Sequence, residues 1–308
     1  MWKHKHLLGM ESLSREDIGY LLEKGNAYRD YLERSPKGEN VLQGYFLINM
    51  FFESSTRTRV SFEMAGKLLG MEVINFTTDA SSVQKGESLR DTVRTLSRMK
   101  VDAMVVRHRS SGIPFYLSQF LPFHIINAGD GIREHPTQAL LDLLAMQRSG
   151  VDFSHLTVAI IGDILHSRVA RSLSIGLQKL GSTVIFSGPP TLIPRGVEVL
   201  GGEVIYPVEE AMERADIIYL LRIQKERQEA GYFPSGQEYA RYFGLNSNAM
   251  DRWGKNKKIM HPGPVNRGME IASCLVEDER SLIEEQVSCG LAVRMAVLET
   301  LLQEGKES

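Results

Sequence analysis

Four stretches in the first half of the chain concentrate groups able to hold an anion. The first, Phe51-Phe52-Glu53-Ser54-Ser55-Thr56-Arg57-Thr58-Arg59, passes from an apolar run into a polar helix start. Unpaired backbone N–H groups there, with the hydroxyls of Ser55, Thr56 and Thr58 and the Arg57 guanidinium, suit a phosphate. The same residues also read as a hydroxyl-capped helix with surface arginines. They are not a nucleotide-triphosphate loop, which needs a glycine spacing and a Lys-Ser/Thr ending absent here. The second stretch, residues 81–88 from Ser81 to Ser88, is a polar loop in which Lys85, beside Gly86, either brings a point charge to an anion or stands as an ordinary exposed lysine. Third, Arg107-His108-Arg109 follows an apolar run at 103–106, which puts cations at the carboxyl end of a strand, where open α/β sheets bind ligands. Fourth, Asn127-Ala128-Gly129-Asp130-Gly131 is a glycine-rich turn leading to His135-Pro136-Thr137-Gln138. His135 and Gln138, three apart at a helix start, project toward one small ligand.

The second half carries a different set. Ile160-Ile161-Gly162-Asp163 leads to His166-Ser167-Arg168, and Arg222 ends another apolar run at 217–221. A glycine after a strand invites a dinucleotide reading, but the G-x-G-x-x-G spacing is missing. Two arginines at the carboxyl edge of one sheet suit a dicarboxylate, because each guanidinium makes two parallel hydrogen bonds. His261-Pro262-Gly263-Pro264 is a turn whose prolines hold carbonyl acceptors at set positions, for a ligand or simply for the fold. No His, Cys, Asp or Glu set has metal-ligand spacing.

Elements to position these groups follow from hydrophobic period. Apolar runs at 45–53, 72–77, 102–108 and 124–128 predict strands, alternating with helices at 15–32, 60–69, 89–100 and 136–148. Ser14, with Asp17 three residues on, caps the opening helix. The alternation restarts with strands at 156–161, 183–186, 203–206, 216–221 and 258–260 and helices at 167–180 and 208–214. This pattern predicts an α/β protein: two doubly wound parallel-sheet domains joined by interdomain helices. The boundary is expected near 150, giving domains at 1–150 and 151–284, with the final segment, about 285–308, packing back on the first. Residues 224–248, with Gly231, Pro234, Gly236 and Gly244, read as a long mobile loop, either a lid or a surface excursion.

Composition narrows the classes. A chain of 308 residues, 43% hydrophobic, can bury a sizeable core across about two domains. The formal charge of -2 arises from interspersed charges, which gives no expectation of nucleic acid or an anionic membrane. There is no apolar stretch of membrane-spanning length and no signal-type start, so a cytoplasmic protein is expected. Cys274 and Cys289 lack paired spacing and read as reduced thiols.

Five motifs together resemble the aspartate carbamoyltransferases of the aspartate/ornithine carbamoyltransferase family. They are Ser-Thr-Arg-Thr-Arg at 55–59, Lys-Gly-Glu at 85–87, His-Pro-Thr-Gln at 135–138, Arg-Ile-Gln-Lys-Glu-Arg at 222–227 and His-Pro-Gly-Pro at 261–264. The resemblance implies transfer of a carbamoyl group from carbamoyl phosphate to L-aspartate in de novo pyrimidine biosynthesis, with no cofactor and no metal. It implies a homotrimer with shared active sites, open to regulatory chains or other pathway enzymes as partners. By motif, Ser55, Thr56, Arg57 and Thr58 hold phosphate, with Ser81 and Lys85 supplied by a neighbouring subunit. Thr58, Arg107 and His135 polarise the carbamoyl oxygen, while Gln138 and the main chain of Pro262, Gly263 and Pro264 hold its amino group. Arg168, Arg222, Gln224 and Lys85 hold the aspartate carboxylates. Gly263 departs from the larger apolar residue common in related chains, so its contact is main-chain only. The rival within the family, ornithine carbamoyltransferase, would set Arg168 and Arg222 against a cationic side chain. A non-catalytic scaffold would need none of these polar positions.

Overall fold

The computed structural model describes residues 2–34, 38–77, 88–223, 235–254 and 256–305. The chain divides into two compact units, residues 1–144 with 288–308, and residues 145–287.

Unit 1 alternates helix and strand: α1 (Arg15–Arg34), β1 (Phe46–Phe51), α2 (Thr56–Leu68), β2 (Glu72–Thr77), α3 (Leu89–Ser97), β3 (Ala103–His108), α4 (Ile113–Ser118), β4 (His124–Asp130) and the start of α5 (Pro136–Arg148). All pairings are parallel, in the order β2-β1-β3-β4. The inner strands β1 and β3 read as near-continuous apolar runs because helices cover a parallel sheet on both faces, whereas the edge strand β2 leaves Glu72, Ile74 and Asn75 exposed. Ile48, Met50, Met104, Val106 and Ile125 are fully or nearly fully buried against Val93, Leu117 and Phe123. Each such side chain stabilises the fold by about 1.5–3 kcal/mol. Helix α1 begins with a reciprocal cap: Asp17 N–H donates to Ser14 Oγ at 3.1 Å, and Ser14 N–H to Asp17 Oδ2 at 2.8 Å. The segment before it lies along β4. Leu7 N–H donates to the Ile125 carbonyl at 2.9 Å, and Asn127 N–H to the Leu7 carbonyl at 2.8 Å. Ile125 N–H donates to His6 Nδ1 at 3.0 Å, and Met10 N–H to Glu134 Oε1 at 3.1 Å.

Unit 2 contains β5 (Thr157–Ile161), α6 (Arg168–Leu180), β6 (Thr183–Ser187), β7 (Glu203–Val204), α7 (Val208–Arg214), β8 (Ile217–Leu220), α8 (Gly236–Tyr242), α9 (Ser247–Trp253), β9 (Lys258–Met260), α10 (Ser273–Val276) and the start of α11 (Ile283–Glu299). Its sheet is also parallel, in the order β7-β6-β5-β8-β9. Ser167 caps α6 by accepting Ala170 N–H, and Gly181, at φ 97°, ends it in the left-handed conformation that glycine adopts without strain. The remainder of α11 belongs to unit 1, where Lys24 of α1 meets Glu299 at 3.1 Å and Glu304 at 3.0 Å. Two doubly wound parallel sheets are therefore present, as the alternation of apolar runs and helical segments predicts.

Three expectations are corrected. Helix α2 starts at Thr56 rather than 60, because its polar first turn carries no apolar period yet is helical, with Thr58 buried. The predicted loop at 224–248 is not a loop from Ser235 onward: Ser235 caps α8 by accepting Glu238 N–H, and Asn246 caps α9 by accepting Ala249 N–H. Tyr239 and Met250 are buried on those two helices, while residues 224–234 lie outside the described set. Strand β4 also continues past 128 to Asp130, into what reads as turn. Among the described residues no helix is long and apolar enough to cross a membrane, and no three His, Cys, Asp or Glu side chains are grouped to hold a metal ion. Cys274 is exposed and Cys289 buried, and neither is in a disulfide.

Candidate active site

In a doubly wound sheet the strand order reverses at one point, and the crevice outside the carboxyl ends of the two strands there is the natural ligand position. In unit 1 those strands are β1 and β3, since β1 pairs with β2 on one side and β3 on the other. Beyond β1 lies Ser55, the N-cap of α2, whose side chain makes no cap hydrogen bond; instead Ser55 Oγ donates to Thr58 Oγ1 at 3.0 Å. The first turn of α2 holds no acidic residue, so its N–H groups and positive dipole end suit an anion. At the end of β3, Arg107 Nη2 donates to Glu53 Oε1 at 2.7 Å and Nη1 to the Ala128 carbonyl at 3.2 Å. The guanidinium is thereby held between the ends of β1 and β4. His108 beside it packs on Phe52, with ring centroids 5.3 Å apart, and burial lowers its pKa.

Strand β4 delivers the fourth motif through a polar knot. Asn127 Nδ2 donates to Asp130 Oδ1 at 2.8 Å, Gly129 N–H to Asn127 Oδ1 at 2.8 Å, and Glu134 N–H to Asp130 Oδ1 at 3.2 Å. Asp130 Oδ2 accepts Gly112 N–H at 2.6 Å. Gly131, at φ 48°, is required: a Cβ there would lie 2.3 Å from Ser111 Oγ and 2.7 Å from its backbone nitrogen. This knot sets the start of α5, where His135 is 4% exposed and its carbonyl accepts Gln138 N–H at 3.0 Å. Gln138 Nε2 donates to Asp142 Oδ1 at 3.0 Å.

Packed against α2 is a residue with no signal in the sequence. Arg294 of α11 is buried, donating to Ser61 Oγ of α2 at 3.1 Å and to the Gly290 carbonyl at 2.6 Å, with its guanidinium 5.2 Å from the Phe62 ring centroid. Burial pushes its pKa down to about 10, against an upward pull from Asp142. A lone arginine in a helical stretch has no sequence signal that separates it from a surface cation.

In unit 2 the order reverses between β5 and β8. Strand β5 ends at Gly162 and Asp163, and Asp163 Oδ1 accepts from His166 N–H at 3.1 Å and pairs with His166 Nδ1 at 2.9 Å. This folds the connection back to Ser167 and Arg168, the first residue of α6, which is 6% exposed. From β8 the ladder continues one residue, Leu221 N–H donating to the Ile161 carbonyl at 2.8 Å, and the next residue is Arg222. Ile223 then packs with Leu192, Tyr239 and Met269. Arg168 and Arg222 thus leave the carboxyl ends of adjoining strands. Beyond β9, His261 N–H donates to Gln286 Oε1 at 3.0 Å and Gly263 N–H to His261 Nδ1 at 2.8 Å, with Pro262 and Gly263 half-buried and Pro264 exposed. Ser81, Lys85 and Gln224 lie outside the described residues.

Comparison with known proteins agrees with this division. Residues 5–148 match the model of the aspartate/ornithine carbamoyltransferase carbamoyl-P binding domain, and residues 154–301 match that of the Asp/Orn binding domain. The chain is 50% identical over 299 residues to the aspartate carbamoyltransferase catalytic subunit of Acidiphilium cryptum, covering 96% of each chain. The crystal structure of aspartate transcarbamoylase from Trypanosoma cruzi in complex with N-(phosphonacetyl)-L-aspartic acid is 32% identical with a TM-score of 0.86, over 96% of this chain and 95% of that one. Ornithine carbamoyltransferase from Pyrococcus furiosus superimposes equally well, with a TM-score of 0.85 over 99% of each chain at 27% identity. With two family domains matched in tandem and close relatives along nearly its whole length, the chain belongs to the aspartate/ornithine carbamoyltransferase family.

Proposed function

We propose that the chain transfers the carbamoyl group of carbamoyl phosphate to the amino group of L-aspartate, giving N-carbamoyl-L-aspartate and phosphate. The fold does not choose the acceptor, since aspartate and ornithine enzymes share it almost equally. The observation that carries the choice is the pair Arg168 and Arg222 beyond the carboxyl ends of adjoining strands, two cations that match a dicarboxylate and oppose an ornithine side chain. Half-identity to an aspartate carbamoyltransferase catalytic subunit supports it independently.

In this reading the first turn of α2, with Ser55, Thr56, Arg57 and Thr58, holds the phosphate. Thr58, Arg107 and His135 donate toward the carbamoyl oxygen, and Glu53 and the Ala128 carbonyl keep Arg107 aimed. The carbamoyl amide is held by the carbonyl end of Gln138 and by the main chain of Pro262, Gly263 and Pro264. Arg168, Arg222 and Gln224 hold the aspartate carboxylates, and Lys85, with Ser81, completes the site from an adjacent subunit of a homotrimer. Aspartate's uncharged amine attacks the carbamoyl carbon. The donors around the oxygen stabilise the tetrahedral intermediate, and phosphate leaves with the proton lost by the amine. No step calls on a metal or a covalent nucleophile. The trimer and a role in de novo pyrimidine biosynthesis rest on the family resemblance, as does the prospect of regulatory chains or pathway enzymes as partners; a cytoplasmic location rests on the hydropathy pattern of the sequence. The deciding experiment incubates the protein with carbamoyl phosphate and either aspartate or ornithine and identifies the product. Turnover of aspartate alone is expected; equal or faster turnover of ornithine overturns the assignment.

A further inference from the structure

A buried carboxylate behind the 261–264 turn has no part in the chemistry just described. Glu270 is fully buried, and three N–H groups converge on its Oε1: His261 Nε2 at 3.3 Å, Asn266 N at 3.1 Å and Asn266 Nδ2 at 3.1 Å. The direction of the first bond follows from the network. Gly263 N–H donates to His261 Nδ1, so Nδ1 is the acceptor nitrogen and Nε2 carries the hydrogen that goes to Glu270. Asn266 Nδ2 also reaches the Ile223 carbonyl at 3.4 Å, one residue beyond Arg222. Oε2 is buried without a hydrogen-bond partner among the described residues, so the hydrogen bonds the carboxylate accepts there come from His261 and Asn266. One oxygen therefore governs two stretches of main chain. Through His261 it fixes where Gly263 N–H points and hence the direction of the neighbouring carbonyls. Through Asn266 it ties that turn to the end of β8.

We propose that Glu270 is a positioning residue for carbamoyl transfer, acting through His261 and Asn266 to hold the main chain at Pro262, Gly263 and Pro264 where the carbamoyl amide is received. This rests on the reading of the turn as the amide's binding element. It assigns Glu270 the role of an acceptor of fixed reach rather than of a charge. A displacement of about 1 Å at such an element costs up to about a hundredfold in rate. The groups that hold phosphate lie in unit 1, so loss of Glu270 separates recognition of the amide from recognition of the phosphate.

The test compares Glu270→Gln, which keeps an acceptor oxygen at the same reach, with Glu270→Met, which keeps the volume and removes it. For each, kcat with aspartate is measured, together with binding of carbamoyl phosphate and of inorganic phosphate. Glu270→Met is expected to lower kcat between about tenfold and a hundredfold and to weaken carbamoyl phosphate about tenfold, with inorganic phosphate unchanged. Glu270→Gln is expected to stay within about threefold of the parent in all three. Asn266→Ala, which removes one of the three donors, is expected to show the same split and serves if the Met variant does not fold. Equal weakening of both anions, a Gln variant as impaired as the Met variant, or an unaffected Met or Ala variant overturns the proposal. Turnover by the parent protein separates the two readings. If the parent does not carbamoylate aspartate, the functional assignment fails; if it does and the split is absent, only the role of Glu270 fails.

Discussion

Arg107 directs one N–H group to Glu53 and another to the Ala128 carbonyl, so its position is set by two different strand ends. On the proposed role of Arg107 toward the carbamoyl oxygen, Arg107→Ala is expected to lower kcat about 10²–10³-fold, the usual cost of removing a preorganised donor to a developing oxyanion. Arg107→Lys keeps a charge but lacks a fork that spans both partners, so it recovers little of that loss. Steady-state rates with saturating substrates check both variants, and a Lys variant near parental activity would mean that charge alone suffices. Deeper in unit 1, Arg294 stays cationic at neutral pH, and Asp142 is the carboxylate that offsets its burial. Asp142→Ala leaves that cation uncompensated, and a loss of about 3 kcal/mol is expected, read as a lower denaturant midpoint. An unchanged midpoint would show that Ser61 and the Gly290 carbonyl satisfy Arg294 by themselves. Neither Arg294 nor Glu270 stands out in the sequence, because each acquires its meaning from partners that only the folded chain brings near. Arg107, Arg168 and Arg222 are legible as strand-end cations, because each lies just beyond an apolar run.

Inner strands such as β3, β5 and β8 are plain in the sequence, since burial on both faces writes them as apolar runs. Helices α8 and α9 escaped detection for the opposite reason: each is seven residues long, buries one or two side chains, and depends on a cap. Asn246→Ala is therefore expected to destabilise unit 2 by about 1 kcal/mol, a shift readable in urea unfolding; no shift would place α9's stability wholly in Met250 and its neighbours. The start of α2 is legible as a polar, hydroxyl-rich motif and not as helical period, because its first turn carries no apolar repeat. The segment along β4 carries a titratable group. His6 is half-buried, and burial, with Lys5 and His124 nearby, lowers its pKa from 6.5 to about 4. The unfolded chain takes up that proton first as pH falls, so stability is lost between pH 6.5 and about 4 and is fully present above 6.5. Unfolding midpoints at intervals across this window should fall more steeply for the parent than for His6→Asn; parallel curves would remove His6 as a cause.

At the scale of the assembly, the proposed trimer makes each active site depend on two chains. Arg57→Ala and Lys85→Ala proteins should each be nearly inactive. Mixed trimers, reassembled after joint dissociation, should contain sites with Arg57 from one chain and Lys85 from the next and so regain activity. Each parent carried alone through the same treatment is the control, and verified hybrids no better than the parents would confine Lys85 to its own chain. Because a lysine's charge is worth little beyond direct contact in solvent, such rescue would report geometry rather than a general field. Assembly also has a hazard, which the hydrogen bonds between Leu7 and β4 reveal. Strand β4 is the last in its sheet, and Leu7 occupies its outward-facing donors and acceptors near Ile126. Deleting residues 2–10 would lay bare a row of apolar, unpaired backbone that any other extended chain can template upon, leaving the protein prone to open-ended aggregation.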